Sequence, residues 1–263
     1  VIVLLPPSES KSNRLRGRPA DPTTWSFPDL IHARVEVAAA LAAASAGRDA
    51  EDFQGVRAAS ARPDALEVLG VSAGLADEVA RNLLLDSAPA TPAAEVYTGV
   101  LYDALGLATL DAASLRRARR MLVVVSALHG AVRLGDRITA YRLSAGTDLP
   151  GIGRPETWWG RHLSPALTAH AGAGVVVDCR SGSYLPMWRP SGAVATRWVQ
   201  VRVPGASHMA KHTRGLVARA LVQLPRTPRT VPATATALAE TFEVSLQEPD
   251  RPGRPWVLEV TST

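Results

Sequence analysis

Three short, uninterrupted apolar runs constrain this chain more than any other feature. They are Val-Ile-Val-Leu-Leu at 1–5, Met-Leu-Val-Val-Val at 121–125 and Gly-Val-Val-Val-Asp at 174–178. A strand wetted on one face alternates apolar with polar residues, whereas an unbroken β-branched run reads as a strand covered on both faces. Each run stops abruptly: the first at Pro6-Pro7, the second at Ser126-Ala127-Leu128-His129-Gly130, the third at Cys179-Arg180-Ser181. These are the central strands of an α/β fold, and polar turns leaving such strands are where α/β proteins place ligands.

The segments between the runs supply the helices. Residues 29–46 are Ala-rich with helical spacing, and Asp29 near the start complements the helix dipole. Residues 63–69 and 75–85 read as two short helices joined by Gly70-Val71-Ser72-Ala73-Gly74. Such a hairpin resembles a helix-hairpin-helix, in which glycine adopts positive φ and lets the backbone approach a phosphate. Any αα-hairpin with a glycine turn reads the same way, and on the residues alone plain packing is the favoured reading. A helix within 107–120 starts after Asp111 and ends in Arg116, Arg117, Arg119 and Arg120, where cations suit the dipole. Further helices are expected from Trp158 to about His170 and over 207–224. Residues 197–203 alternate like a half-exposed strand, and 242–246 with 256–260 read as a closing hairpin. No internal repeat or linker appears, so one domain over 1–263 is expected.

Composition narrows the function classes. Hydrophobic residues are 46% and charged residues 20%, which excludes a disordered chain. The formal charge of +5 and a pI of about 10.0 permit nucleic-acid or phosphate binding without demanding it. The single cysteine, Cys179, excludes an internal disulfide and fits a reducing compartment. No apolar stretch approaches the roughly 20 residues of a membrane helix. The reading is a cytoplasmic protein with no membrane partner.

Hydroxyls and cations gather in the strand-end turns. The first turn holds Ser8, Ser10 and Lys11; the second holds Ser126, followed by Arg133, Tyr141 and Arg142; the third holds Ser181, Ser183 and Tyr184. Lys211 and Arg214, three apart, share one helix face. Hydroxyls beside Lys and Arg suit phosphate or carboxylate recognition. Taken singly, each cluster reads as a solvated turn. The nucleophile elbow, the Walker loop and the dinucleotide Gly-rich turn are all absent. His208 and His212 sit four apart on a helix but lack a third ligand nearby. No metal or cofactor is expected.

These residues also carry a family resemblance. Pro6-Pro7-Ser8-Glu9-Ser10-Lys11 after a short strand resembles the opening of the YaaA family of peroxide-stress proteins. Val96-Tyr97-Thr98-Gly99 is similar to that family's Val-Tyr-x-Gly, and Ser126-Ala127-Leu128-His129-Gly130 with Arg133 to its Ser-Gly-Leu-Tyr-Gly and following Arg. Tyr141-Arg142-Leu143 with Gly146 resembles Pro-Tyr-Arg-Leu-x-x-Gly. Trp159, Ser181-Gly182-Ser183-Tyr184 and Ala210-Lys211-His212-Thr213-Arg214-Gly215 match further blocks, all in the family's order. Ala127, His129 and Ser183 depart from the pattern, where the family has Gly, Tyr and Glu.

The resemblance implies a mixed sheet with surrounding helices, a basic cleft and a helix-hairpin-helix over about 63–85. It also implies DNA binding and a role in limiting iron-driven oxidative damage. On this reading Gly70 and Gly74 contact DNA non-specifically. The alternative is a diverged enzyme acting on a small anionic or nucleobase-containing substrate. Ser8, Lys11, Arg142, Ser181, Lys211 and Arg214 are the expected anion-binding residues. In an enzyme, Lys11 is the candidate acid/base, because burial beside other cations lowers a lysine pKa. Ser126 and Tyr141 would relay or orient protons. The plain alternative pairs Lys11 and Arg142 with acidic residues such as Glu9 or Asp178.

Overall fold

The computed structural model describes residues 1–46, 63–205 and 207–261. A seven-stranded sheet runs through the molecule in the order β4-β3-β1-β6-β7-β9-β8. The three apolar runs form its centre: β1 is Ile2–Leu5, β3 is Leu122–Ser126 and β6 is Val176–Asp178. β1 lies parallel between the other two, with Leu4 opposite Val123 on one side and Asp178 on the other. Every residue of these strands is buried, as their lack of alternation requires.

β7 (Trp198–Arg202) and β9 (Trp256–Thr261) extend the parallel array, while β4 (Gly130–Arg133) and β8 (Glu243–Gln247) close its edges antiparallel. A separate two-residue ribbon pairs β2 (Thr91–Pro92) with β5 (Arg137–Ile138). The path has one reversal that matters for function. From β1 the chain goes to β3 on one side, then crosses back over β1 to β6 and continues outward through β7 and β9. The direction of winding therefore switches between β1 and β6.

Helices cover the sheet. α1 (Ile31–Ala46) follows a 3-10 turn at Pro28–Leu30 and buries Val37 and Leu41. α2 (Pro63–Leu69) and α3 (Ala76–Ala80) form the anticipated helical pair, but the second member is shorter than read from sequence and continues as a 3-10 turn, Arg81–Leu84. Gly70 has the left-handed φ of 63°. Gly74 does not: it lies inside the 3-10 turn Ala73–Leu75, so the positive φ expected across this turn is confined to Gly70.

α4 (Ala93–Val96) and α5 (Val100–Leu105) bracket the Val-Tyr-Thr-Gly motif. α6 (Ala112–Met121) is capped by Asp111, whose carboxylate accepts from the N–H groups of Ala113 and Ser114. α7 (Pro155–Ala171) opens earlier than the Trp pair suggested, because Pro155 supplies the preset φ of a first helical position. The short α8 (Gly192–Ala195) leads into β7, α9 is Ser207–Gln223, and α10 (Val231–Leu238) is capped by Thr230. α9 packs closely on α5. No helix among the described residues is long and apolar enough to cross a membrane.

Candidate functional site

A cleft of about 470 Å³ opens where the winding reverses. The loop after β1 supplies Ser8 and Lys11, the loop after β6 supplies Ser181 and Tyr184, and α9 supplies Lys211 and Arg214. Arg142 enters from the segment beyond β5. All six residues read from sequence as anion-binding therefore line one cavity. It lies outside the carboxyl ends of adjacent parallel strands at a topological switch point, the position at which open α/β sheets bind ligands.

The first loop is fastened before it reaches the cleft. Tyr102 donates to the carbonyl of Pro6 at 2.7 Å. The Thr98 N–H donates to Ser8 Oγ at 3.1 Å, and Lys11 pairs with Tyr97 in an isolated β-bridge. The Val96-Tyr97-Thr98-Gly99 motif is thus the backing that shapes the Ser8–Lys11 turn. Gly99 has φ 87°, and an added Cβ would sit 3.4 Å from Ser10 Oγ.

The third loop is anchored by a fully buried ion pair. Arg180 grips Asp178 in a bidentate fork, at 2.8 Å through Nε and 2.7 Å through Nη2, and neither side chain is exposed. The remaining guanidinium hydrogens reach the carbonyls of Tyr184 and Trp188, and Trp198 Nε1 donates to Asp178 Oδ2. Asp178 is fully engaged by these bonds, so the proposed pairing of Lys11 or Arg142 with Asp178 does not occur.

Among the described residues, two of the cleft's cations carry carboxylate partners and two do not. Arg142 meets Glu78 at 3.3 Å, and Lys211 meets Glu9 at 2.7 Å. The Lys211 hydrogen bond holds the Glu9 carboxyl below its usual range. Lys11 Nζ donates to the Ser8 carbonyl at 2.8 Å and stands 4.3 Å from the centre of the Tyr141 ring, with no carboxylate of the described residues in bonding distance. Burial, reinforced by the Arg142 charge, lowers its pKa to about 7. Arg214 keeps a buried Nε without a hydrogen-bond partner. Among the described residues, four basic side chains against the carboxylates of Glu9 and Glu78 leave the cavity electropositive.

Ser126 and Tyr141 do not line the cleft but lie beneath it, both buried. Ser126 Oγ accepts from the N–H groups of Leu128 and His129, so its own proton goes to Tyr141 Oη at 2.7 Å. Tyr97 Oη is 3.3 Å further on. Desolvation pushes the pKa of both tyrosines up, keeping the chain neutral. Its contact with the cleft is the Tyr141 ring under Lys11.

Sequence reasoning missed Asn82. Fully buried, it accepts from the Arg142 N–H at 2.8 Å and donates to the Arg142 carbonyl at 2.9 Å. With Glu78, it makes α3 and the 3-10 turn after it a clamp on Arg142. Gly70 lies on the rim of the cleft, whereas Gly74 does not line it. Among the described residues no group of three or more His, Cys, Asp and Glu could hold a metal ion.

A model of the family described as "Peroxide stress protein YaaA" matches residues 1–233. The chain belongs to the YaaA family. A UPF0246 protein of Streptomyces coelicolor is 43% identical, covering 99% of this chain and 98% of its own. A UPF0246 protein of Corynebacterium efficiens is 40% identical over 86% of each chain, and one of Corynebacterium glutamicum 37% identical over 84% of each. The blocks that marked the YaaA resemblance in sequence are the ones that build the cleft and its supports.

Proposed function

We propose that this YaaA-family chain binds a small phosphate- or carboxylate-bearing ligand in the switch-point cleft and exchanges a proton with it through Lys11. The observation that carries this reading is the convergence of Lys11, Arg142, Lys211 and Arg214 from three separate segments, with Arg214 Nε buried and unpartnered. A cavity of about 470 Å³ suits a ligand of nucleotide or metabolite size. Arg142 and Arg214 would hold the anion, since guanidinium forks match its oxygens. Lys11, with a pKa of about 7, is poised to give or take a proton at neutral pH. Ser126 and Tyr141 would orient that ammonium from below. Native mass spectrometry of the purified protein tests the reading: a co-purified anionic small molecule, lost in Lys11→Met and Arg142→Met, is the expected result. Retention of that ligand by both variants sinks it.

A second reading, non-specific DNA binding, is favoured by the Gly70 turn on the rim of the same electropositive cleft and by the pI of about 10.0. Its contacts would be to phosphates, giving a linear fall of log affinity with log salt. The absence of any shift with excess duplex in low salt removes it.

A further inference from the structure

A second depression, of about 330 Å³, lies beside the cleft. The turn Gly182–Met187 is shared between them: Tyr184 lines the cleft, and its neighbour Leu185 lines the groove. Trp198 and Gln200 of β7 contribute the sheet side, and Arg189, Arg251 and Arg254 contribute the charge. None of the lining residues is acidic. Among the described residues, none of these three arginines makes an ion pair. The one carboxylate bonded to Trp198, Asp178, is already taken by Arg180.

The arrangement is built by the β8–β9 connection. Gly253 adopts φ 83°, and the Arg254 N–H donates to the Arg251 carbonyl at 3.2 Å. That closed turn holds Arg251 and Arg254 at one groove. Guanidinium groups stay charged at any physiological pH, so three of them around one cavity repel until an anion with several oxygens enters. Arg251 and Arg254 also lie beyond the residues matched by the family model.

We propose that this groove is a second phosphate-binding site, taking a phosphate ester or a phosphodiester on Arg189, Arg251 and Arg254. It stands independently of the ligand in the first cleft. The test places Arg189→Gln, Arg251→Gln and Arg254→Gln together on a Lys11→Met, Arg142→Met background, in which the first cleft is disabled. Pyrophosphate binding is read by calorimetry and a labelled thymidine oligonucleotide by fluorescence anisotropy. The expected result is residual binding in the background protein that falls at least about tenfold when the three arginines are removed.

Pyrophosphate binding alone assigns the site to a small free phosphate compound. Oligonucleotide binding identifies a phosphodiester, and its salt slope then drops by about two, at roughly 0.7 per lost contact. No residual binding of either probe, or residual binding unchanged by the triple substitution, overturns the proposal. Because all three side chains are exposed, the melting temperature should hold; Arg251→Gln alone serves as the milder variant. The triple variant with an intact cleft separates the two sites, since failure there leaves the first-cleft reading untouched.

Discussion

Gly215 decides how closely α9 can approach α5, and replacing it with alanine tests both packing and function. A Cβ at this position would lie 2.2 Å from the Leu101 carbonyl oxygen and 2.8 Å from Ala104 Cβ. A tolerable carbon–oxygen contact is roughly 3.3 Å, so the two helices must part by about 1 Å. The obstacle is backbone, which cannot rotate aside. Overpacking of this kind costs about 1–3 kcal/mol, and a backbone clash belongs at the upper end. Against it, alanine in a helix is favoured over glycine by about 1 kcal/mol. The net loss is therefore about 2 kcal/mol. For a chain of this size that lowers Tm by about 4–8 °C. Differential scanning calorimetry measures it. Ligand affinity should fall as well, because Lys211 and Arg214 ride on α9 and retreat from the cleft with it. An unchanged or raised Tm would mean helix propensity outweighs the contact, and would refute the claim that α5 and α9 touch through this glycine.

Other expectations follow from the same geometry. Asp178→Asn strands the buried Arg180 charge and should cost about 3–5 kcal/mol, read as a lower urea midpoint. For Lys11 the pKa falls from 10.5 unfolded to about 7 folded, so the unfolded chain carries the extra proton between these values. Stability of the ligand-free protein should rise with pH across that window, and Lys11→Met should remove this part of the slope. Anion affinity should move the opposite way, weakening above pH 7 as the ammonium is lost, with Lys11→Arg flattening the profile. Cys179 is fully buried with its thiol pushed up to about 12, so aromatic disulfide reagents should modify it only at the rate of unfolding.

The sheet was legible where burial left its mark on composition. β1, β3 and β6 announced themselves because strands covered on both faces are built mainly of apolar residues, and β7 because its outer positions are polar. β4 was read as part of a turn: four residues at an edge, beginning with Gly130, are too few to show a period. α10 was missed because Val231, Pro232, Thr234 and Thr236 interrupt its alanines with β-branched residues and a proline, and the Thr230 cap with the packing of Val231 and Leu238 defines it. In the site, cations were legible because Lys and Arg beside strand-end hydroxyls are rare enough to notice. Asn82 was not, since a single amide on a predicted helix carries no sign that it will clamp a backbone 60 residues away. Tyr97 and Tyr102 are buried in the core, and their hydroxyl roles exist only in three dimensions.

The central position of β1 also has a consequence for biosynthesis. Leu4 waits for Val123 on one flank and for Asp178 on the other. At roughly 5–20 residues per second, the ribosome takes about 9–35 s to travel from β1 to the end of β6. During that time the most apolar strand of the sheet exists without its second neighbour, and before residue 122 without either. Early helices such as α1 can cover a face of this strand but cannot satisfy its open edge. Completion of the sheet is thus tied to late translation, and a nascent chain stalled before residue 176 offers chaperones, or another stalled chain, at least one open edge of Ile2–Leu5.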